Sequence, residues 1–345
     1  MDKDIQLAIK HTRGVHLPNF LYLFLWSILD DKREMQTAFL LLKSISVMIP
    51  GAALVYLARS HCVGLLYVAV VVLFVGSESL PALHYYMHNR RTFKHSFMTS
   101  AVSTVAPLLH GIPVSAYTVL HLMMHHKHSN DARYDMTSTE KYQRDNALHF
   151  LWHWLDIWVI ETWFVLPFYA FQRKRYLLSL YSALCMWSHL AAVFFLCKHN
   201  PCFGIWVVIV PTALTLFAIS LHNWGQHMFV HPDSTKSIHP LHCSYNVINS
   251  TTNAAIFNDG YHAIHHNDPL VHWSDYPTHF RDNFDLYKRE GCFYFKNIDS
   301  VGIALASFRG RYDILSQHLT RLDGDRSEDD ATFLRKRLAP IRRAV

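Results

Sequence analysis

Four apolar runs constrain this chain most. Gln36 to Ala58, Cys62 to Leu83, Tyr176 to Cys197 and Phe203 to Leu221 each approach or exceed the roughly 20 residues a helix needs to cross the hydrocarbon core of a bilayer. Arg59-Ser60-His61 leaves almost no loop between the first two, and Lys198 to Cys202 little between the last two. The runs therefore pair as two tight hairpins. Charged residues make up 17% of the chain, against about 25% in soluble domains, as expected of a chain that buries much of its surface in lipid. Pro50-Gly51 is placed to kink the first run, and Lys43 lies near enough to its start to snorkel to the interface. The fold expected is all-α and multi-pass, with about four transmembrane helices and a helical cytosolic cap.

The other segments fit around those hairpins. Met1 to His16 is polar, and no signal peptide is expected. Leu17 to Leu29 is too short to span and reads as an interfacial helix or a packed entry segment. Residues 1–35 form this N-terminal segment, 36–280 the membrane domain and 281–345 a charged cytosolic tail. Pro107, Gly111 and Pro113 interrupt Ala101 to Leu122, which reads as re-entrant or interfacial. Ala147 to Phe171 is rich in Trp and Phe but carries His149, His153, Asp156 and Glu161, so it is expected at the headgroup level. Basic clusters at Arg90, Arg91 and Lys94 and at Arg173-Lys174-Arg175 mark the cytoplasmic side. Ser327-Glu328-Asp329-Asp330 reads as a capping box opening a basic helix whose Arg335, Lys336, Arg337, Arg342 and Arg343 meet either lipid headgroups or solvent. The six cysteines form no CxxC pair; Cys197 and Cys202 read as unrelated thiols.

Histidines carry the chemistry. They cluster as His84 and His88, as His121, His125 and His126, and as His262, His265 and His266, with His227 four residues after Asn223. Such spacings place rings on one helix face, and imidazole is the commonest protein metal ligand. Nine rings exceed the needs of one ion, so two ions are expected. With two hairpins returning the chain to the same side, all clusters fall on the cytoplasmic side and can converge. His128 reads as either a neighbour of the ligands or a solvent-facing loop residue. His149 and His153 read as interfacial packing or as support to the ligands, His189 as a packing residue, and His110, His222, His272 and His279 as structural or outer neighbours of the site, with His222 next to Asn223.

In these motifs the chain resembles the integral-membrane fatty acid desaturase and hydroxylase superfamily, most nearly its acyl desaturases. HxxxH at His84 and His88, HxxxHH at His121, His125 and His126, HxxHH at His262, His265 and His266, and Asn-xxx-His at Asn223 and His227 carry the likeness, which runs from about residue 36 to 280. The resemblance implies two irons on these nine histidines, with Asn223 approaching one ion through a water. It implies O2-dependent desaturation of a lipid acyl chain, with electrons from an external donor, cytochrome b5 or a ferredoxin. No His-Pro-Gly-Gly heme motif and no GxGxxG fingerprint is present. The expected location is an integral membrane one: the endoplasmic reticulum in a eukaryote, the inner membrane in a bacterium. No nucleic-acid partner is expected.

Other chemistries fit less well. Hydroxylation of an acyl chain, alkane or sphingoid base needs the same ligands and is the nearest alternative. A zinc hydrolase needs about three histidines and a water, and zinc has no redox chemistry to attack a methylene C–H bond. A metal transporter should hold its ligands mid-span, where only His189 lies.

Overall fold

The computed structural model describes residues 3–7, 17–89, 92–325 and 327–341; Arg90, Arg91, Arg342 and Arg343 lie outside the described residues. The chain is mostly helical and divides into two compact units. One comprises His11–Leu120 and Trp158–Ala218; the other comprises Met1–Lys10, His121–Ile157 and Ile219–Val345.

The first unit is membrane-like. After the short apolar helix α1 (Asn19–Ile28) comes α2 (Lys32–Ala58), 27 residues with a mean hydropathy of 2.0. Arg59, in the left-handed conformation, ends it. The expected second span is a bent pair, α3 (His61–Gly76) and α4 (Glu78–His88), meeting at 54°. Two features account for the bend: Val72–Gly76 is wound as a π-helix, and Pro81 lies inside the following helix. α4 continues through His84 and His88, so the first histidine pair is helical. α5 (Ser96–Leu109) stops at a turn before the helix over Thr118–His128, consistent with an interrupted segment rather than a span.

Three more helices are long and apolar enough to cross a membrane: α7 (Ala147–Gln172), α8 (Tyr176–His199) and α9 (Pro201–Gln226); the Thr118–His128 helix is α6. The finding for α7 departs from the expectation of a headgroup-level helix. It is a continuous 26-residue helix whose mean hydropathy, 1.2, is the lowest of the four. The polar groups that argued against a span are accommodated. His153 is fully buried, and Asp156 pairs with Lys141 at 3.7 Å, while Leu148, Trp152, Leu155, Val159 and Phe164 face outward. α8 is more exposed still: Leu177, Leu180, Leu184, Phe194 and Phe195 cover its surface. Water does not tolerate so large an apolar surface, whereas lipid does. Lys43 and Glu78, the charges within α2 and at the head of α4, face one another at 3.6 Å, as charges inside an apolar layer must.

The hairpins hold together by close packing. Met48, Val55, Tyr67, Val68, Val71 and Val75 form one core, against which Trp206 and Val210 pack. Gly64 lets α3 and α9 touch: a Cβ there would lie 2.3 Å from the Trp206 indole. Asn200, in the turn before α9, accepts from Phe203 N at 3.1 Å and donates to the Tyr56 carbonyl at 2.8 Å, tying the two hairpin tips together. Cys197 and Cys202 are free thiols.

The second unit contains helices α10 (His262–Asn267), α11 (Tyr276–Asp282), α12 (Phe284–Arg289), α13 (Ser300–Phe308), α14 (Tyr312–His318) and α15 (Asp330–Lys336). It also holds a small sheet absent from the sequence-level expectation. Strand β1 (Asn246–Ile248) pairs in parallel with β2 (Phe293–Lys296), and β2 pairs antiparallel with β3 (Leu319–Arg321). Asp329, not Ser327, caps α15, accepting from Thr332 N.

Overpacking a tight helix crossing costs about 1–3 kcal/mol. Gly64→Val is therefore expected to lower the thermal midpoint in detergent, while Leu73→Ala, on an exposed position of α3, leaves it in place. A Gly64→Val protein melting together with wild type would contradict this account of the crossing.

Candidate metal centre

Imidazole binds a metal through one nitrogen, and a hydrogen bond at the other fixes which one is free. In the second unit His125, His227, His262 and His266 are all buried, and their ligand atoms lie within 4.8 Å of one another. His125 Nδ1 is 2.8 Å from Asp135 Oδ2 and 2.9 Å from Thr137 Oγ1. His227 Nδ1 is 2.7 Å from the Cys243 carbonyl. An acceptor oxygen there requires Nδ1–H, which leaves the Nε2 lone pair facing inward. His227 Nε2 is 3.1 Å from His262 Nε2, which is 3.2 Å from His266 Nε2. Converging lone pairs need a cation. Donors on one ion with bonds near 2.1 Å are separated by roughly 3 to 4.2 Å; the 3.1 and 3.2 Å separations fall in that range, and the four nitrogens could hold a metal ion.

Each ligand is held for a local reason. His121, His125 and His126 lie on α6, which is π-wound over Thr118–His125. π-Winding bonds i to i+5, so His121 and His126 come onto one face, with their Nε2 atoms 3.1 Å apart. His126 Nε2 also lies 3.0 Å from His265 Nε2. His227 follows directly on α9. Two residues before it Gly225 packs on Ser300, where a Cβ would meet the Ser300 carbonyl at 2.1 Å. The short helix α10 is capped by Asn246, whose Oδ1 accepts from Ala263 N at 3.1 Å and Ile264 N at 3.4 Å; β1 supplies that asparagine. Tyr261, just before α10, donates to Asp4 at 2.7 Å, so residues 3–7 pack on the third histidine box. His265 Nδ1 lies 2.9 Å from the Tyr276 hydroxyl.

The first pair belongs to the other unit. His84 and His88 project from one face of α4 with ring centroids 5.3 Å apart, and the Tyr117 hydroxyl lies 2.8 Å from His84 Nδ1. Asn223 donates to the Thr137 carbonyl at 3.3 Å, beside the Asp135–His125 pair.

Other histidines take separate places. His222 is 2.6 Å from Asp259 Oδ2, and Gln226 joins the same carboxylate at 2.8 Å. His128 packs on Tyr134. His149 is exposed, and its Nδ1 accepts from Gln143 N. His153 is buried between Trp224 and Tyr142, at 5.2 and 5.3 Å, a packing residue of the interior rather than of the interface. Tyr117, Tyr276, Cys243, Asn246 and Asp4 were not singled out in the sequence. A tyrosine or a backbone carbonyl that meets a histidine from a distant segment leaves no local pattern. Asp135 lies in the polar run that follows the second box.

Electrostatics favour neutral rings. Burial pushes His227 down to about 3, assisted by the neighbouring His125, and burial with crowding by His262, His125, His126 and His227 holds His266 well below its usual value. Burial would raise Asp135, but His125 and the bonds from His125 and Thr137 outweigh it and keep the carboxyl below its ordinary range. A histidine depressed on folding takes up protons on unfolding, so its contribution to stability is complete above pH 6.5 and fades as the pH falls toward 3. Asp135 acts in the same direction. The metal-stripped protein is thus expected to lose thermal stability steadily below pH 6.5, and a profile flat to pH 4 would contradict the buried neutral set. Asp135→Asn and Tyr276→Phe are each expected to weaken metal retention about 10- to 100-fold, measured by competition with a chelator.

A scan against protein-family models matches the fatty acid desaturase family over residues 58–297. No curated protein and no solved structure matches the chain. The matched region contains all three histidine boxes and Asn223-xxx-His227.

Proposed function

The chain belongs to the fatty acid desaturase family, metal-dependent membrane oxidoreductases of desaturase or hydroxylase type, and on that premise we propose that it is a di-iron, O2-dependent acyl desaturase. It introduces a double bond into a lipid acyl chain and takes electrons from an external donor, cytochrome b5 or a ferredoxin. Its membrane is the endoplasmic reticulum in a eukaryote or the inner membrane in a bacterium. His84, His88, His121, His125, His126, His227, His262, His265 and His266 serve as the ligands of two irons, with Asn223 acting through a water. The observation that carries this reading is the buried quartet His125, His227, His262 and His266, an all-imidazole donor set.

Iron suits the task because it is redox-active and accepts imidazole. Bound there, it supplies the O2 activation that C–H oxidation requires. The chain's own residues do the rest. Asp135, Thr137 and the Cys243 carbonyl hold the Nδ1 protons of His125 and His227 and so fix both rings. Tyr276 and Tyr117 do the same for His265 and His84. Burial holds His227 and His266 well below the usual imidazole value and excludes bulk water from the quartet. Abstracting two hydrogens from adjacent carbons yields the alkene; with two donor electrons and two protons, O2 leaves as two waters.

Expression in a host lacking desaturases, with lipid profiling, tests the activity. A new alkene is expected, together with about two irons per purified chain. An alcohol product would identify the hydroxylase instead. Stoichiometric zinc in an active preparation would overturn the di-iron reading. Among single changes, His227→Ala is expected to abolish turnover and strip iron, whereas His149→Ala leaves the iron in place.

A further inference from the structure

We propose that the C-terminal segment 337–341, seated by Arg144, is a working part of the metal centre that positions ligand His227. The proposal rests on the reading of His227 as an iron ligand.

Arg144 is fully buried, and its guanidinium donates to backbone carbonyls on three strands of chain. Nε reaches the Met228 carbonyl at 2.7 Å. Nη1 reaches those of Thr139 and Glu140 at 3.3 and 3.2 Å. Nη2 reaches those of Arg337 and Ala339 at 2.8 and 2.7 Å. The carbonyl between the last two, Leu338, accepts from Arg144 N at 3.1 Å, and Ile341 N donates to the Glu140 carbonyl at 2.8 Å. Leu338 itself is buried. The tail is thus laced onto the 139–144 loop by main-chain bonds on both sides of one arginine.

The same loop grips the ligand. Thr139 Oγ1 donates to the carbonyl of His227 at 2.7 Å, and Arg144 holds the carbonyl of the next residue, Met228. The Arg144 carbonyl in turn accepts from Trp224 Nε1 at 2.8 Å, one turn before His227. The carbonyls of the ligand and of the next residue, and the Trp224 indole one turn before, are therefore fixed by the loop, and the loop by the tail. Only a planar five-donor fork serves both sides at once; an ammonium is a point charge with three donors. A buried cation whose carbonyl partners are withdrawn is costly, so loss of the tail would disturb the loop and with it His227. Residues 337–341 lie beyond the family match, which ends at 297.

The test uses the full chain in detergent and two variants. Arg144→Lys keeps the charge but loses the fork. Ile341→Pro removes a single tail N–H and leaves Arg144 intact, so it decides the matter if Arg144→Lys fails to fold by circular dichroism. Arg311→Ala, at an exposed pair with Asp313, is the control. Three quantities are measured: ferrous iron affinity by chelator competition, the visible spectrum of the cobalt(II)-loaded protein, and hydrogen exchange over His227–Phe229 in the metal-free protein. Arg144→Lys is expected to weaken iron binding about 10- to 100-fold, the range for groups that orient ligands, with Ile341→Pro in the same direction and smaller. Both variants should shift the cobalt spectrum and speed exchange at His227–Phe229, while Arg311→Ala matches wild type. If His227→Ala strips iron but both strap variants bind it as wild type does, the proposal is overturned and the desaturase reading stands. If His227→Ala itself retains iron, the ligand assignment fails and the proposal falls with it.

Discussion

Four imidazole nitrogens within 4.8 Å of one another, away from water, cannot be left to themselves. Each ring must be neutral, and each must present a lone pair rather than a proton. Burial holds His227 and His266 below their usual value, and oxygen partners on the far nitrogen of His125 and His227 turn the Nε2 of those two rings inward. For His125 the partner is a carboxylate with a threonine, and for His227 a main-chain carbonyl. Much of the second unit follows from placing those oxygens: the turn that carries Asp135, the loop that brings Cys243 under α9, and the strand whose Asn246 caps the third box. Two carboxylates stand behind the quartet: Asp135 Oδ2 lies 2.8 Å from His125 Nδ1, and Asp259 Oδ1 lies 3.9 Å from His262 Nδ1.

The membrane imposes the other constraint. Apolar helices with outward-facing Leu, Phe and Trp need lipid as their solvent, and the charges they carry must be paired, as Lys43 and Glu78 are. The break between α3 and α4 is part of the same design. A π-turn and a proline redirect the helix before it reaches His84 and His88, so the first box rides on a helix whose direction is set locally. π-Winding recurs in α6, where it brings His121 and His126 together. In both places one extra residue per turn re-aims a ligand at the cost of regular helix geometry.

Much of this was legible in the residues. Hydropathy located α2, α8 and α9, and box spacing singled out His125, His262 and His266, because both are local properties of the chain; His227 was singled out only by the family resemblance of its Asn-xxx-His element. The bend of the second run was not anticipated, since π-winding has no marker in composition. α7 was assigned to the interface because its polar residues were counted without their partners; Lys141 for Asp156 and an aromatic cage for His153 become visible only in three dimensions. The tyrosines and carbonyls behind the ligands were invisible for the same reason. The charged tail read as a separate surface region, although residues 337–339 meet a buried arginine nearly two hundred positions earlier.

The most direct measurement of the central claim is X-ray absorption at the iron edge of the purified protein. The account predicts a first shell dominated by nitrogen, with the multiple-scattering pattern of several imidazoles. A shell containing sulfur near 2.3 Å, or one dominated by carboxylate oxygen, would contradict it.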